Sequence, residues 1–130
     1  MSKFRSNVDT AAILISIVDD DVSMREALPE LVREFGFASE VFAAPSEFLQ
    51  SAFVDKTKCL ILDVVTPGMS GPELRRELLR RGYDIPTIFI TARADLASGP
   101  DVRQGAIACL LKPFSGAALL EALKNALKLE

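Results

Sequence analysis

Short apolar runs alternate with helical patterns along this chain, and that alternation restricts the fold more than any other feature. Residues 13–18 form an apolar run rich in β-branched side chains, the pattern of a strand buried on both faces. Further strands are expected at residues 39–42, 60–63, 87–91 and 107–111. Between the first two, Met24, Ala27, Leu28, Leu31, Val32 and Phe35 recur at helical spacing, and Gly36 supplies a stop. Pro29 falls inside that helix and is expected to kink or open it. A second helix should run over residues 45–53, with Pro45 near its start. Ser70-Gly71-Pro72-Glu73 has the form of a capping box, and its helix should reach about Arg81 and close at Gly82. A weak helical segment surrounds residues 101–104. The last helix is capped by Ser115 and runs to about Lys128, with Phe114 and Leu119 spaced as a hydrophobic staple.

Such alternation is satisfied by an α/β fold: a parallel sheet with helices on both faces, joined by right-handed crossovers. The 130 residues suffice for one compact domain, taken as 11–130, with a loose polar tail at 1–10. A composition of 49% hydrophobic and 25% charged residues supports a globular core. The net charge of −3, with no His, gives no basis for direct nucleic-acid binding. Cys59 and Cys109 lie inside apolar runs. They read as core thiols of a reduced, cytoplasmic protein, on strands that should not be neighbours. With no CxxC and no His cluster, zinc is not indicated. The run 11–18 is too short to span a bilayer and leads into three acids, so no membrane role is expected.

In a sheet of this kind chemistry gathers at the carboxyl ends of the strands. Asp19 and Asp20 follow the first strand, Asp63 ends the third, Thr91 the fourth, and Lys112 follows the fifth. Three carboxylates in one pocket repel unless a cation offsets them, and hard oxygen ligands suit Mg²⁺. An ionised carboxylate beside Mg²⁺ can attack phosphorus and form an acyl phosphate, with Lys112 and the Thr91 hydroxyl serving the phosphoryl oxygens. Each residue alone has an ordinary reading: Asp21 as a helix N-cap, Lys112 as a solvated lysine, Thr91 as a strand residue. Their joint placement at matching strand ends carries the inference. The cluster Arg75, Arg76, Arg80 and Arg81 is read as a solvated helix face, with Glu77 and Arg81 as a favourable pair.

The segments "IVDDD", "LILDVVTPGMSG", "IFITA" and "LLKPF" resemble those of response-regulator receiver domains of two-component signalling, from about Ile13 to Leu127. The resemblance implies a single flavodoxin-like (βα)5 domain with strand order 2-1-3-4-5 and a cis Lys112–Pro113 bond. It implies that Asp63 is the phosphoacceptor, and that Asp19, Asp20, Asp63 and the backbone carbonyl of Val65 bind Mg²⁺. Thr91 and Lys112 would contact the phosphoryl group. The implied partners are a sensor histidine kinase, a second copy through the face of helix 4, strand 5 and helix 5, and a DNA-binding output domain outside these residues. "MSGPEL" is most like receivers with helix-turn-helix outputs.

Competing classes fit less well. A flavodoxin-type site needs a hydroxyl- and Gly-rich phosphate loop after strand one, where this chain has three Asp. An Asp-nucleophile phosphatase needs a general acid where Val65 stands. A degenerate receiver, acting as a constitutive binding module, stays open because of three departures from the family pattern. Val65 and Thr66 replace a frequent polar residue and Met. Cys109 replaces an aromatic residue. The segment between Thr91 and Lys112 is one residue shorter than usual and holds Gly99-Pro100, so the usual fourth helix should not start before Pro100.

Overall fold

The computed structural model describes residues 12–129. The expected tail at 1–10 lies outside them. Five parallel strands, β1 (Leu14–Val18), β2 (Ala38–Phe42), β3 (Thr57–Asp63), β4 (Thr87–Thr91) and β5 (Ala108–Leu111), form one sheet in the order β2-β1-β3-β4-β5. The helices are α1 (Val22–Glu34), α2 (Pro45–Leu49), α3 (Gly71–Arg80), α4 (Ala94–Ala97), α5 (Pro100–Arg103) and α6 (Gly116–Leu127). This is the expected order and architecture.

Side chains alternate across the three inner strands and fill two cores. Ile15, Ile17, Cys59, Ile61, Ile88 and Ile90 face α1 and α6, where Leu28, Val32, Leu119 and Leu123 cover them. Leu60, Leu62 and Phe89 face the other side, against Phe48, Leu74 and Leu78. Phe114 and Leu119 both join the first core, as their spacing predicts. Cys59 and Cys109 are free thiols on strands separated by β4.

Four local expectations change. α1 runs without interruption through Pro29, because Leu28 and Val32 are held against the sheet and packing overrides the local penalty. α2 ends at Leu49, short of Phe53. There the Ser51 hydroxyl donates to the carbonyl of Phe48 (2.7 Å) and accepts the N–H of Phe53 (3.2 Å), offering the backbone an alternative to the helix. One helical turn, α4, does form before Pro100. It stops because the residue before a proline is pushed out of helical conformation, and Gly99 is extended (φ −66°, ψ 148°) with Pro100 opening α5. Finally, Arg75 is not solvated like Arg76 and Arg80: its side chain is 17% exposed and its guanidinium faces Gly105.

Candidate functional site

The site forms where β1, β3, β4 and β5 end. β1 carries the chain into the core up to Val18, so Asp19 emerges fully buried at the sheet's edge. Its N–H donates to the carbonyl of Phe42 (3.1 Å), which fixes it to the end of β2. Asp21 caps α1 by accepting the N–H of Ser23 (2.9 Å), the ordinary role expected for it. The N–H of Asp21 in turn donates to Asp19 Oδ1 (2.9 Å). On β3, Asp63 is 7% exposed, and its Oδ1 accepts the N–H of Val65 (3.0 Å). Behind it, the capping box of Ser70 and Glu73 sets the start of α3, and the Gly71 N–H donates to the carbonyl of Val64 (2.9 Å).

Lys112 follows β5 and donates to Asp19 Oδ2 and to Asp63 Oδ2, both at 2.8 Å. One carboxylate oxygen from each of Asp19, Asp20 and Asp63 lies within 4.8 Å of the other two. Asp19 and Asp63 are buried, whereas Asp20 is exposed at the rim. Burial pushes the Asp19 carboxyl above its usual range and the charge of Asp63 adds to this, although Lys112 and the Asp21 N–H pull the other way. Burial also works against the charge of Lys112, but its hydrogen bonds and charge contacts with the two acids outweigh that and hold its ammonium above the usual lysine value. Each carboxylate oxygen of Asp19 and Asp63 accepts one hydrogen bond from the protein and keeps a lone pair for a cation. A compact group of hard oxygen donors, carrying more negative charge than one lysine offsets, fits a hard divalent ion such as Mg²⁺.

Thr91 is 1% exposed at the end of β4, and its Oγ1 accepts the N–H of Arg93 (3.0 Å). Val65 is 51% exposed beside the site. The Lys112–Pro113 bond is cis.

Two residues at the site carried no signal read from the sequence. Arg25, in the first turn of α1, donates from Nη1 to the carbonyl of Asp19 (3.0 Å). A cation four residues past an Asp N-cap is the only local hint. Gly71 lets α3 start against the backbone of Asp63: a Cβ there would lie 2.5 Å from the Asp63 carbonyl oxygen. Its hint was a glycine at the first helical position, where better helix formers are available.

The sequence profile of the response regulator receiver domain matches residues 15–124. The response regulator protein TodT of Pseudomonas putida is 41% identical over 119 residues, covering 91% of this chain and 52% of that protein. Nodulation protein W of Bradyrhizobium diazoefficiens is 40% identical over 111 residues, 85% of this chain and 49% of that protein. The chain thus spans about half the length of these relatives. Among solved structures, the response regulator StyR has a TM-score of 0.83 at 41% identity, covering 91% of this chain and 60% of that one. The response regulator TrrA of Thermotoga maritima, solved in complex with Mg(2+)-BeF, has a TM-score of 0.78 at 29% identity, covering 88% of this chain and 98% of that one. Strand order, the acid-and-lysine pocket at the strand ends and these matches agree: the chain belongs to the response-regulator receiver domains of two-component signalling.

Proposed function

We propose that Asp63 accepts a phosphoryl group from a sensor histidine kinase, and that the modified domain drives an output outside these residues. The observation that carries this is the half-buried Lys112 ammonium, 2.8 Å from both Asp63 and Asp19 at converging strand ends. A lone pair of the Asp63 carboxylate forms the new O–P bond. The P–N bond of the phosphohistidine breaks, and its electron pair leaves on the imidazole nitrogen. Lys112, already hydrogen-bonded to Asp63 Oδ2, lies within reach of a phosphoryl oxygen there. The Thr91 oxygen accepts the Arg93 N–H, which leaves the hydroxyl proton free to donate to a phosphoryl oxygen.

Asp19, Asp20, Asp63 and the Val65 backbone carbonyl would hold Mg²⁺, which supplies charge neutralisation for the acids and the transferring group. The relative solved with Mg(2+)-BeF supports this choice of ion. The carboxylate separation and the intact lysine weigh against a degenerate receiver.

Relatives described as transcriptional regulators, among them FixJ of Azorhizobium caulinodans, support a DNA-binding output in the longer proteins. β5 lies at the sheet's edge, with its Leu111 and the preceding Ile107 exposed, which supports self-association through α4, β5 and α6. Among the described residues no helix is long and apolar enough to cross a membrane, and a cytoplasmic location fits the family's role.

The test is acyl-phosphate formation on wild type and Asp63→Asn, using acetyl phosphate with Mg²⁺ and lability to hydroxylamine. Only the wild type should label. Equal labelling of both proteins would move the acceptor elsewhere.

A further inference from the structure

Asp20 poses a problem that the other two acids do not. Asp19 and Asp63 are each aimed by hydrogen bonds to their own carboxylates. The Asp20 carboxylate is exposed and, among the described residues, accepts none. What is fixed for it is therefore its backbone, which sets where its side chain starts. The peptide unit that leads into it is planar, so the carbonyl of Asp19 and the N–H of Asp20 turn together. β1 ends at Val18, so that carbonyl lies past the sheet ladder, on a residue with no solvent exposure. The donor it finds is Arg25 Nη1, at 3.0 Å. Helical side chains lean toward the N-terminus, so a long side chain in the first turn of α1 reaches back to the acid loop. Arg25 is half-buried and starts from a fixed base, since its own N–H donates to the carbonyl of Asp21 (3.1 Å).

We infer that Arg25 is a positioning residue for the metal site: by holding the Asp19 carbonyl it fixes the Asp19–Asp20 peptide plane and so aims the Asp20 carboxylate at the cation. This rests on the Mg²⁺ reading above. A rival role makes the opposite prediction. If Arg25 acted only by its charge, its removal would lessen repulsion of Mg²⁺ and tighten binding. If it orients, its removal weakens binding, in line with outer-shell partners whose loss costs about 10- to 100-fold in metal affinity.

The experiment is Mg²⁺ titration by calorimetry on wild type, Arg25→Met and Arg25→Lys, with melting in EDTA alongside. Arg25→Met should raise the Mg²⁺ Kd by about tenfold or more. Arg25→Lys, which keeps a donor without the guanidinium fork, should fall between the two. Labelling of Arg25→Met by acetyl phosphate should recover when Mg²⁺ is raised in proportion, because Asp63 and Lys112 are untouched. A Kd within about twofold of wild type, or a tighter one, overturns the inference, and a lower melting point with an unchanged Kd marks a merely structural role. If Arg25→Met does not fold, the Kd of Arg25→Lys decides by the same limits. A wild type that binds no Mg²⁺ overturns the metal reading itself, which distinguishes the two failures.

Discussion

Gly71 and Gly116 occupy the same local position, the first residue of a helix behind a serine N-cap, and their tertiary surroundings differ sharply. A Cβ added at Gly116 would meet the flexible Leu31 side chain at 3.4 Å, an ordinary contact. At Gly71 it would lie 2.5 Å from the Asp63 carbonyl oxygen and 3.1 Å from both Phe89 Cε1 and the Val64 Cα. Two of those three neighbours are backbone, in and beside a strand bonded to β4, and cannot swing aside. Overpacking of this kind costs roughly 1–3 kcal/mol. Replacing glycine also lowers the entropy of the unfolded chain, a gain of about 0.4–1 kcal/mol that both sites share. Gly71→Ala should therefore lose about 1–2 kcal/mol net, whereas Gly116→Ala should be neutral or slightly stabilising. With roughly 2.1 cal/mol/K of unfolding entropy per residue, that loss lowers Tm by about 4–7 °C. Urea and thermal unfolding of the three proteins is the assay. Because relief of the clash must move α3 or Asp63, labelling by acetyl phosphate should also slow at temperatures where Gly71→Ala is fully folded. A Gly71→Ala protein that melts with or above Gly116→Ala would refute the reasoning.

Lys112→Ala strands two buried carboxylates and should cost about 3–5 kcal/mol at neutral pH without Mg²⁺. The raised Asp19 pKa means that its contribution is fully present below the usual carboxylate value of 3.8 and is lost as pH rises through the folded value; without the lysine that loss is larger. Urea unfolding should then show a smaller gap from wild type at pH 4.5 than at pH 7.5, and an equal gap would reject this linkage. α4 buries no residue and α5 buries only Val102, so amides of residues 94–104 should exchange about a hundredfold faster than those inside α3. Adding a beryllofluoride phosphate mimic should slow the whole segment together, and α3-like protection in the unmodified protein would contradict this.

Much of the fold was legible because its signals are local or periodic. Buried parallel strands need apolar runs, and 13–18, 60–63 and 87–91 can be little else. Ser70 with Glu73, and Ser115 with the N–H of Ala118, mark helix starts through contacts made within one turn. The site was legible as well, because strand ends of a parallel sheet share one edge. Asp19, Asp20, Asp63 and Lys112 could be brought together before any distance was known. What failed locally was decided by competition: packing kept α1 whole at Pro29, and the Ser51 hydroxyl ended α2 early. The hydrogen bond from Arg25 to a carbonyl of the preceding loop, and the approach of Gly71 to the Asp63 backbone, belong to tertiary structure alone. Residue types and spacing declare which charges a site holds. The angle of one peptide plane, or a few tenths of an ångström between a helix start and a strand end, depends on how the elements dock, and no periodicity records it.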